Sequence, residues 1–272
     1  MPQIIKGKAT ICIVNYKTLD FTRLCLRSIR KFTNYPYEVI VVDNDSGDAS
    51  LEYLRSLGWI RLIERRSEPD EQGGGFAHGA GLQLGLENCN TEFFVSMHSD
   101  VFIQKANWLD DLISYFDDDE QTACVGTGKI ELEPKWRTLL KKATDLRTFK
   151  RKLFCEPDPP GKHRYYNRTI CCLYRTDVLR REGLSFLMVP DKGLTSGKKL
   201  YFELVDRGYK TVELPAAFVG KYVVHLAHAT QATNLEEFTL RRKTVRKYRR
   251  LVDKIMRSDV TREILTDTNL DK

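Results

Sequence analysis

Apolar positions along this chain alternate between two periods. Ala9 to Val14 (ATICIV) is a continuous β-branched run, and Asp20 to Phe32 then places Phe21, Leu24, Cys25, Ile29 and Phe32 at helical spacing. The same alternation repeats. Glu38 to Val42 (EVIVV) predicts a second strand closed by the turn cluster DNDSGD, Ala49 to Leu57 a helix, and Ile60 to Glu64 a third strand. Gly79 to Asn88 predicts a helix, Glu92 to Met97 (EFFVSM) a fourth strand, and Trp108 to Phe116 another amphipathic helix. The second half is less regular: an edge strand over Gly126 to Leu132, a loop and helix insertion over Pro134 to Pro160, and a core strand over Thr169 to Tyr174. A helix over Lys198 to Arg207, ended by Gly208, then leads to a strand over Thr211 to Leu214. The longest helical pattern of the chain runs over Leu235 to Met256.

Continuous apolar strands separated by helices predict a mostly parallel sheet covered on both faces. Ligands of such sheets bind beyond the carboxyl ends of the strands. The polar residues there are Asn15, Tyr16 and Lys17 after the first strand, Asp43, Asn44 and Asp45 after the second, and His98, Ser99 and Asp100 after the fourth. Turns favour Asp, Asn and Ser in any case, but three such clusters at one edge predict a shared site.

Composition narrows the class. With 272 residues, 42% hydrophobic and 30% charged, the chain has the profile of an ordinary globular protein rather than a disordered or fibrous one. No apolar run approaches the ~18 residues of a membrane span, and the start MPQIIKGK lacks the apolar core of a signal peptide. Seven Cys, odd in number and without a CxxC, read as reduced buried thiols. A cytoplasmic chain is expected, in which the sequons at Asn44 and Asn167 are idle.

Charge is unevenly placed. Lys135 to Lys152 holds eight basic residues against Asp145, and Arg241 to Arg257 nine against Asp253, so the net +7 hides an acidic body of −8. Two solvated helix faces, or contact with something anionic, both fit. Leu240, Val245, Tyr248, Leu251, Val252, Ile255 and Met256 can form an apolar stripe with the arginines opposite. Such a helix can lie on an anionic membrane or pack on the body. Only Tyr248 interleaves with the basic residues of that segment, so nucleic acid is not expected as a partner.

There is no GxxxxGK[ST] loop, and no glycines follow the first strand, so P-loop and dinucleotide-binding chemistry are excluded at their usual places. Gly73 to Gly85 (GGGFAHGAGLQLG) is either a loop entering a helix or a backbone that lets a phosphate or sugar approach the helix N-terminus. His98 and Asp100 beyond a buried strand can both face a cleft and hold a divalent cation that in turn holds a diphosphate. His225-x-x-His228 forms a second His cluster, but HxxH alone is no zinc signature.

ATICIVNYKTLDFTRLCLRSIRKFTNYPYEVIVVDNDSGDASLEYL and FAHGAGLQLGLENCNTEFFVSMHSDVFIQKANWLDDLI together resemble the inverting family 2 glycosyltransferases of the GT-A fold, rhamnosyltransferase-like and cell-surface polysaccharide enzymes among them. The resemblance covers roughly the first 130 residues, with CCLYRTDVLRREG and ELVDRGYKTVELP further on. It implies an α/β GT-A fold: a Rossmann-like, mostly parallel central sheet with helices on both faces and a C-terminal helical extension. Residues 1–130 would be the nucleotide-sugar half, 131–234 the acceptor half of the same domain, and 235–272 a basic helix and tail.

The resemblance implies roles as well. Val14, Asn15 and Tyr16 would line the base and ribose pocket, Asp43 and Asp45 would accept hydrogen bonds from the base, and Gly75 and His78 would border the diphosphate. His98-Ser99-Asp100 stands where the family has its DxD motif. Asp100 matches the last position, a ligand of Mn²⁺ or Mg²⁺, and Ser99 the middle one, while His98 replaces the first aspartate. A hard cation prefers oxygen to imidazole, whereas Mn²⁺ accepts both. His225 or His228 resembles the family's late histidine. The family's Glu-Asp falls on Ser196 and Gly197, so the base is assigned to Asp191, with Glu203 in reserve. The implied reaction is a single displacement that moves a sugar from a nucleoside-diphosphate sugar to a glycan or lipid-linked acceptor hydroxyl with inversion, at the cytoplasmic membrane face where the acceptor is lipid-linked. The alternative from another class is a catalytically inactive GT-A scaffold acting as a binding or regulatory protein.

Overall fold

The computed structural model describes residues 3–68, 71, 74–117, 119–128, 166–189, 193–226, 234 and 242–272. In chain order the elements are β1 (Ile5–Asn15), α1 (Leu19–Phe32), β2 (Tyr37–Asn44), α2 (Ala49–Arg55), β3 (Arg61–Arg65), α3 (Gly74–Glu87), β4 (Thr91–His98), β5 (Val101–Ile103), α4 (Trp108–Asp117) and β6 (Thr122–Thr127). There follow β7 (Cys171–Arg175), α5 (Thr176–Arg181), α6 (Ser196–Asp206), β8 (Lys210–Leu214), α7 (Ala216–Val219), β9 (Val223–His225), α8 (Arg242–Met256), α9 (Asp259–Thr266) and a 3₁₀ turn (Thr268–Asp271).

The strands build a seven-stranded sheet in the order β3-β2-β1-β4-β7-β6-β8. Every pairing is parallel except those of β7, which runs antiparallel to both β4 and β6. β1 shows why this sequence makes a doubly covered strand. Ile11 and Ile13 point into one core, with Cys25, Leu26 and Ile29 of α1 and Trp108 and Leu112 of α4. Cys12 and Val14 point into the other, with Leu82 and Leu86 of α3 and Leu200 and Leu204 of α6. Both faces of the strand are thus apolar, which produces a continuous run rather than an alternating one.

The glycines of α3 serve close approach. A Cβ on Gly85 would stand 2.2 Å from Cys12 Sγ, one on Gly81 would stand 2.9 Å from both Val14 Cγ atoms, and one on Gly79 would stand 2.7 Å from Phe186 O. Only hydrogen at these positions lets the helix lie this near β1 and the 186 segment. α3 also begins five residues before the expected Gly79, because Gly74 and Gly75 continue its backbone.

One expectation needs correction. The strand expected at the sheet edge over 126–132 is β6, which starts at Thr122 and lies inside the sheet between β7 and β8. All six of its residues are buried, so the run Thr122–Val125 carried the strand signal. Residues 129–132 and the insertion over 134–160 lie outside the described residues. Of the two readings of the C-terminal helix, the structure shows packing on the body: Val252, Ile255 and Met256 pack with Phe21, Leu24, Phe102, Leu226 and Ile264. Its apolar side therefore covers α1 and the β5–β9 pair, while Arg246, Arg249, Arg250, Lys254 and Arg257 are exposed. The helix is described from Arg242; the expected start at Leu235 lies outside the described residues.

Beyond that helix, α9 and the 3₁₀ turn return to α1. Arg27 donates to the Leu265 carbonyl and to both carboxylate oxygens of Asp271, and Tyr53 Oη donates to Asp271 Oδ1 at 2.8 Å. No helix among the described residues is long and apolar enough to cross a membrane. The six cysteines within them are buried free thiols, and Cys155 lies outside.

Candidate active site at the strand ends

The chain leaves β1 toward β2 on one side and returns to β4 on the other, so the crevice beyond the carboxyl ends of β1 and β4 is a topological switch point. Asn15 ends β1 there, fully buried. Its amide donates to Asp43 Oδ1 at 2.7 Å and to Ser50 Oγ at 2.9 Å, and its Oδ1 accepts from Thr22 Oγ1 at 2.7 Å. Asp43, also buried, accepts in addition from the Ser46 amide (3.0 Å) and hydroxyl (2.6 Å). The carboxylate thereby closes the DNDSGD turn, holding Asp45 exposed with φ at 59°. Tyr16 lies at the same edge with Lys17 Nζ 5.0 Å from its ring centroid. Val14, 7% exposed, is committed to the contact with Gly81.

On the β4 side three ligand-type atoms meet. Oδ1 of Asp100 lies 3.7 Å from His98 Nδ1 and 3.3 Å from His225 Nε2, and the three potential donors all lie within 4.8 Å of one another. His98 ends β4, Asp100 follows in the turn, and His225 arrives on β9, whose antiparallel register with β5 sets Val101 opposite His225. This two-stranded sheet was not visible as a pattern, since its strands have three residues each. Ser99 in the same turn is buried, its Oγ 3.2 Å from Thr18 Oγ1. His228 lies outside the described residues.

His78 approaches from α3. Its ring meets that of His98 edge-on with centroids 4.6 Å apart, and its buried Nε2 has no hydrogen-bond partner among the described residues. Gly75, one turn earlier, is exposed and faces Met188, whose Sδ would sit 3.2 Å from an added Cβ. Burial pushes the His78 imidazole down to about 4, against the pull of Asp100. Burial also pushes His98 down to about 3, aided by repulsion from His78 and opposed by Asp100. Both rings are then neutral at pH 7 and keep a lone pair, the form in which imidazole binds metal.

Two imidazole nitrogens and one carboxylate oxygen around a single point fit a divalent cation. Ligand bonds of ~2.0–2.2 Å would reach it from all three sides and leave positions open for a substrate's oxygens.

Of the two positions where the resemblance locates the base, Ser196 and Gly197, the second has no room for a side chain. A Cβ on Gly197 would stand 2.7 Å from the Asn167 carbonyl oxygen. Asp191 lies outside the described residues. Glu203 sits seven residues into α6, about 10 Å of helix rise from its first residue, with Oε1 3.9 Å from Lys199 Nζ. Sequence reasoning missed Tyr166, Arg168 and Lys198, in which the two cations lie over the one ring; no motif marks them, and only the fold brings them together.

The sequence matches the family model described as Glycosyl transferase family 2 over residues 10–182. No curated protein matches it. Among solved structures it is similar to TarS 1-349 of S. aureus, with 16% identity and a TM-score of 0.52 over 95% of this chain and 70% of that one. It is also similar to the mannosyltransferase PcManGT of Pyrobaculum calidifontis in complex with GDP-Man and Mn²⁺, with 16% identity and a TM-score of 0.51 over 79% of this chain. The chain spans 57% of that protein's length. At such identities these likenesses concern the fold, and it is the match over residues 10–182 that decides the family: the chain is a GT-A-fold member of glycosyl transferase family 2.

Proposed function

We propose that this protein transfers a sugar from a nucleoside-diphosphate sugar to an acceptor hydroxyl, with inversion, in one displacement. The observation that carries this reading is the convergence of His98, Asp100 and His225 at the switch point of a family 2 domain. These three would hold Mn²⁺ or Mg²⁺, with two imidazoles favouring Mn²⁺. The cation would supply positive charge to the departing nucleoside diphosphate. Of the similar folds, PcManGT is in complex with GDP-Man and Mn²⁺ and TarS 1-349 with UDP-GlcNAc, which supports a nucleotide-sugar donor in this crevice.

Asn15, Asp43 and Ser46 form a rigid rim on the β1–β2 side, against which a base and ribose would rest between Tyr16 and the exposed Asp45. Neutral His78 would stand beside the diphosphate. Asp191 is the proposed base that takes the acceptor's hydroxyl proton as its oxygen attacks the anomeric carbon, with Glu203 as the reserve. The acceptor would be a glycan or a lipid-linked sugar, reached from the cytoplasmic face. The exposed basic side of α8 suits contact with anionic head groups without insertion, because its apolar side is already used.

A second reading is favoured by Gly197, which removes the family's carboxylate: a scaffold that binds donor without transferring it. Both readings meet one experiment, a thermal-shift screen of UDP-, GDP- and dTDP-sugars with Mn²⁺, with Mg²⁺ and with chelator, on the wild type and Asp100→Ala. A donor at ~100 times its dissociation constant stabilises by ~2.7 kcal/mol. Metal-dependent stabilisation lost in Asp100→Ala is expected, and no stabilisation by any donor refutes the proposal. NMR of the product's anomeric centre then reads inversion, and a donor that binds but is never transferred selects the scaffold.

A further inference from the structure

Two of the three donor groups that meet at the switch point are imidazoles, and the fold fixes their places without help from a substrate. The His98 amide donates to the Ile170 carbonyl at 3.0 Å, and the Leu226 amide, one residue past His225, donates to the Asp100 carbonyl at 2.9 Å. The His98 ring stands edge-on between those of His78 and His225, with centroids 4.6 Å and 5.6 Å away, which restrains its orientation. Asp100 and His225 keep 9% of their side-chain surfaces accessible and His98 31%, so solvent reaches the cluster mainly at His98.

The spacings suit ligands of one ion. The 3.7 Å between Asp100 Oδ1 and His98 Nδ1 is too long for a hydrogen bond. Bonds of ~2.0–2.2 Å that meet at octahedral to tetrahedral angles separate ligand atoms by roughly 3.0–3.6 Å. The separations here, 3.3 Å and 3.7 Å, are close to that range before any ion enters.

Donor type then chooses the ion. Mg²⁺ keeps its waters and demands oxygen, so two nitrogens and one oxygen suit it poorly. Such a set holds Mn²⁺ better and Zn²⁺ better still, following the general order of divalent affinities. Three protein ligands, two imidazoles and a carboxylate, are also the number with which zinc sites hold their ion and keep a position open. No nucleotide is needed to complete them.

Coordination number gives this selectivity a consequence. Zn²⁺ most often takes four ligands, which leaves one position beyond the three side chains. An octahedral Mn²⁺ leaves three. A diphosphate that grips the ion through two oxygens finds room on Mn²⁺, whereas on Zn²⁺ it must enlarge the shell or displace a side chain.

We propose that His98, Asp100 and His225 form a regulatory zinc site: Zn²⁺ binds there without a donor, displaces Mn²⁺ and weakens donor binding. The zinc affinity stands on the three side chains alone, and only the effect on the donor rests on the transferase reading.

The test uses the full chain, stripped of metal with chelator and dialysed. Zn²⁺ affinity is read without nucleotide by competition with a chromogenic chelator, and Mn²⁺ affinity by the EPR signal of free Mn²⁺. Saturable Zn²⁺ binding is expected, at least about tenfold tighter than that of Mn²⁺ and weakened about tenfold or more in His225→Ala. Co²⁺, a spectroscopic stand-in for Zn²⁺, is expected to give a visible absorption band that His225→Ala alters. His98→Asp, which exchanges a nitrogen for an oxygen, is expected to narrow the ratio of Zn²⁺ to Mn²⁺ affinity, and it serves if His225→Ala does not fold. No Zn²⁺ binding without nucleotide, binding no tighter than that of Mn²⁺, or wild-type Zn²⁺ affinity in both variants would each overturn the proposal.

Calorimetric titration of UDP-, GDP- and dTDP-sugars into Mn²⁺-loaded and Zn²⁺-loaded protein reads the regulation. Binding about tenfold weaker with Zn²⁺ is expected, and equal or tighter binding refutes the regulatory role. If no nucleotide sugar binds the Mn²⁺-loaded protein, the transferase reading fails and the regulatory role falls with it, while the zinc titrations still decide the metal site.

Discussion

His225 Nε2 lies 3.3 Å from Asp100 Oδ1, although the two residues are far apart in the chain. The β5–β9 pairing makes this contact, and the Leu226 amide donating to the Asp100 carbonyl at 2.9 Å continues it. His225→Ala removes one of three converging ligands and leaves the backbone bonds of the β5–β9 pair in place. The Mn²⁺ dissociation constant is expected to rise by about 10–100-fold or more, the range seen when even a supporting partner of a metal site is lost. Titration monitored by the EPR signal of free Mn²⁺ measures it. Unaltered Mn²⁺ affinity would show that His225 is no ligand.

His98 stands where the family carries a carboxylate, and imidazole is a poor ligand for a small hard cation that demands oxygen. His98→Asp is therefore expected to shift the metal preference toward Mg²⁺. A change of about tenfold in the Mn²⁺ to Mg²⁺ affinity ratio, or 1.4 kcal/mol, is expected from competition titrations. A ratio that stays constant would place the cation away from residue 98.

Gly85 and Cys12 touch so closely that a single methyl has no room: its carbon would stand 2.2 Å from Sγ. Gly85→Ala should destabilise the fold by about 1–3 kcal/mol through overpacking, despite the better helix propensity of alanine. In a Cys12→Ala background the thiol is gone and the same substitution should cost much less, a coupling that a double-mutant cycle in urea reads directly. Equal costs in both backgrounds would mean that α3 and β1 are not held at this separation.

The contrast between β1 and the β5–β9 pair shows how much was legible. β1 was readable because Ile11, Ile13, Cys12 and Val14 fill both cores, and a doubly buried strand writes itself as one apolar run. Asn15, Asp43, His98 and Asp100 were readable for the same reason, since each sits just past such a run. The partnership of His225 with Asp100 was not, because a three-residue strand has no periodicity and its pairing is decided at long range. Nor were Arg168, Lys198 and Tyr166, which come together only through the antiparallel β7 and the approach of α6. The glycine-rich segment read either as a loop entering a helix or as a backbone open to a phosphate or sugar. Three of its glycines turn out to meet Cys12, Val14 and Phe186, so packing against β1 and the 186 segment accounts for them.

Asp271 anchors the end of the described chain to α1, where Arg27 is buried with only 5% of its side chain accessible. Burial alone would raise the Asp271 carboxyl, but hydrogen bonds from Arg27 and Tyr53 outweigh it and hold the group below the usual range. An unfolded Asp titrates near ~3.9. Because the folded value is lower, the unfolded state binds the proton more readily. The pair's contribution to stability is thus fully present above about pH 4 and is lost as pH falls through the depressed folded value. Asp271→Asn leaves the buried guanidinium without its anion, and Asp271 itself is 24% accessible, so a cost of about 1–3 kcal/mol at pH 7 is expected. Urea midpoints of the wild type and Asp271→Asn, compared from pH 7 down to the acid limit, should converge as the wild-type carboxyl takes up its proton. A difference that persists undiminished in acid would assign the anchor to packing of Ile264 and its neighbours rather than to the charge on Asp271.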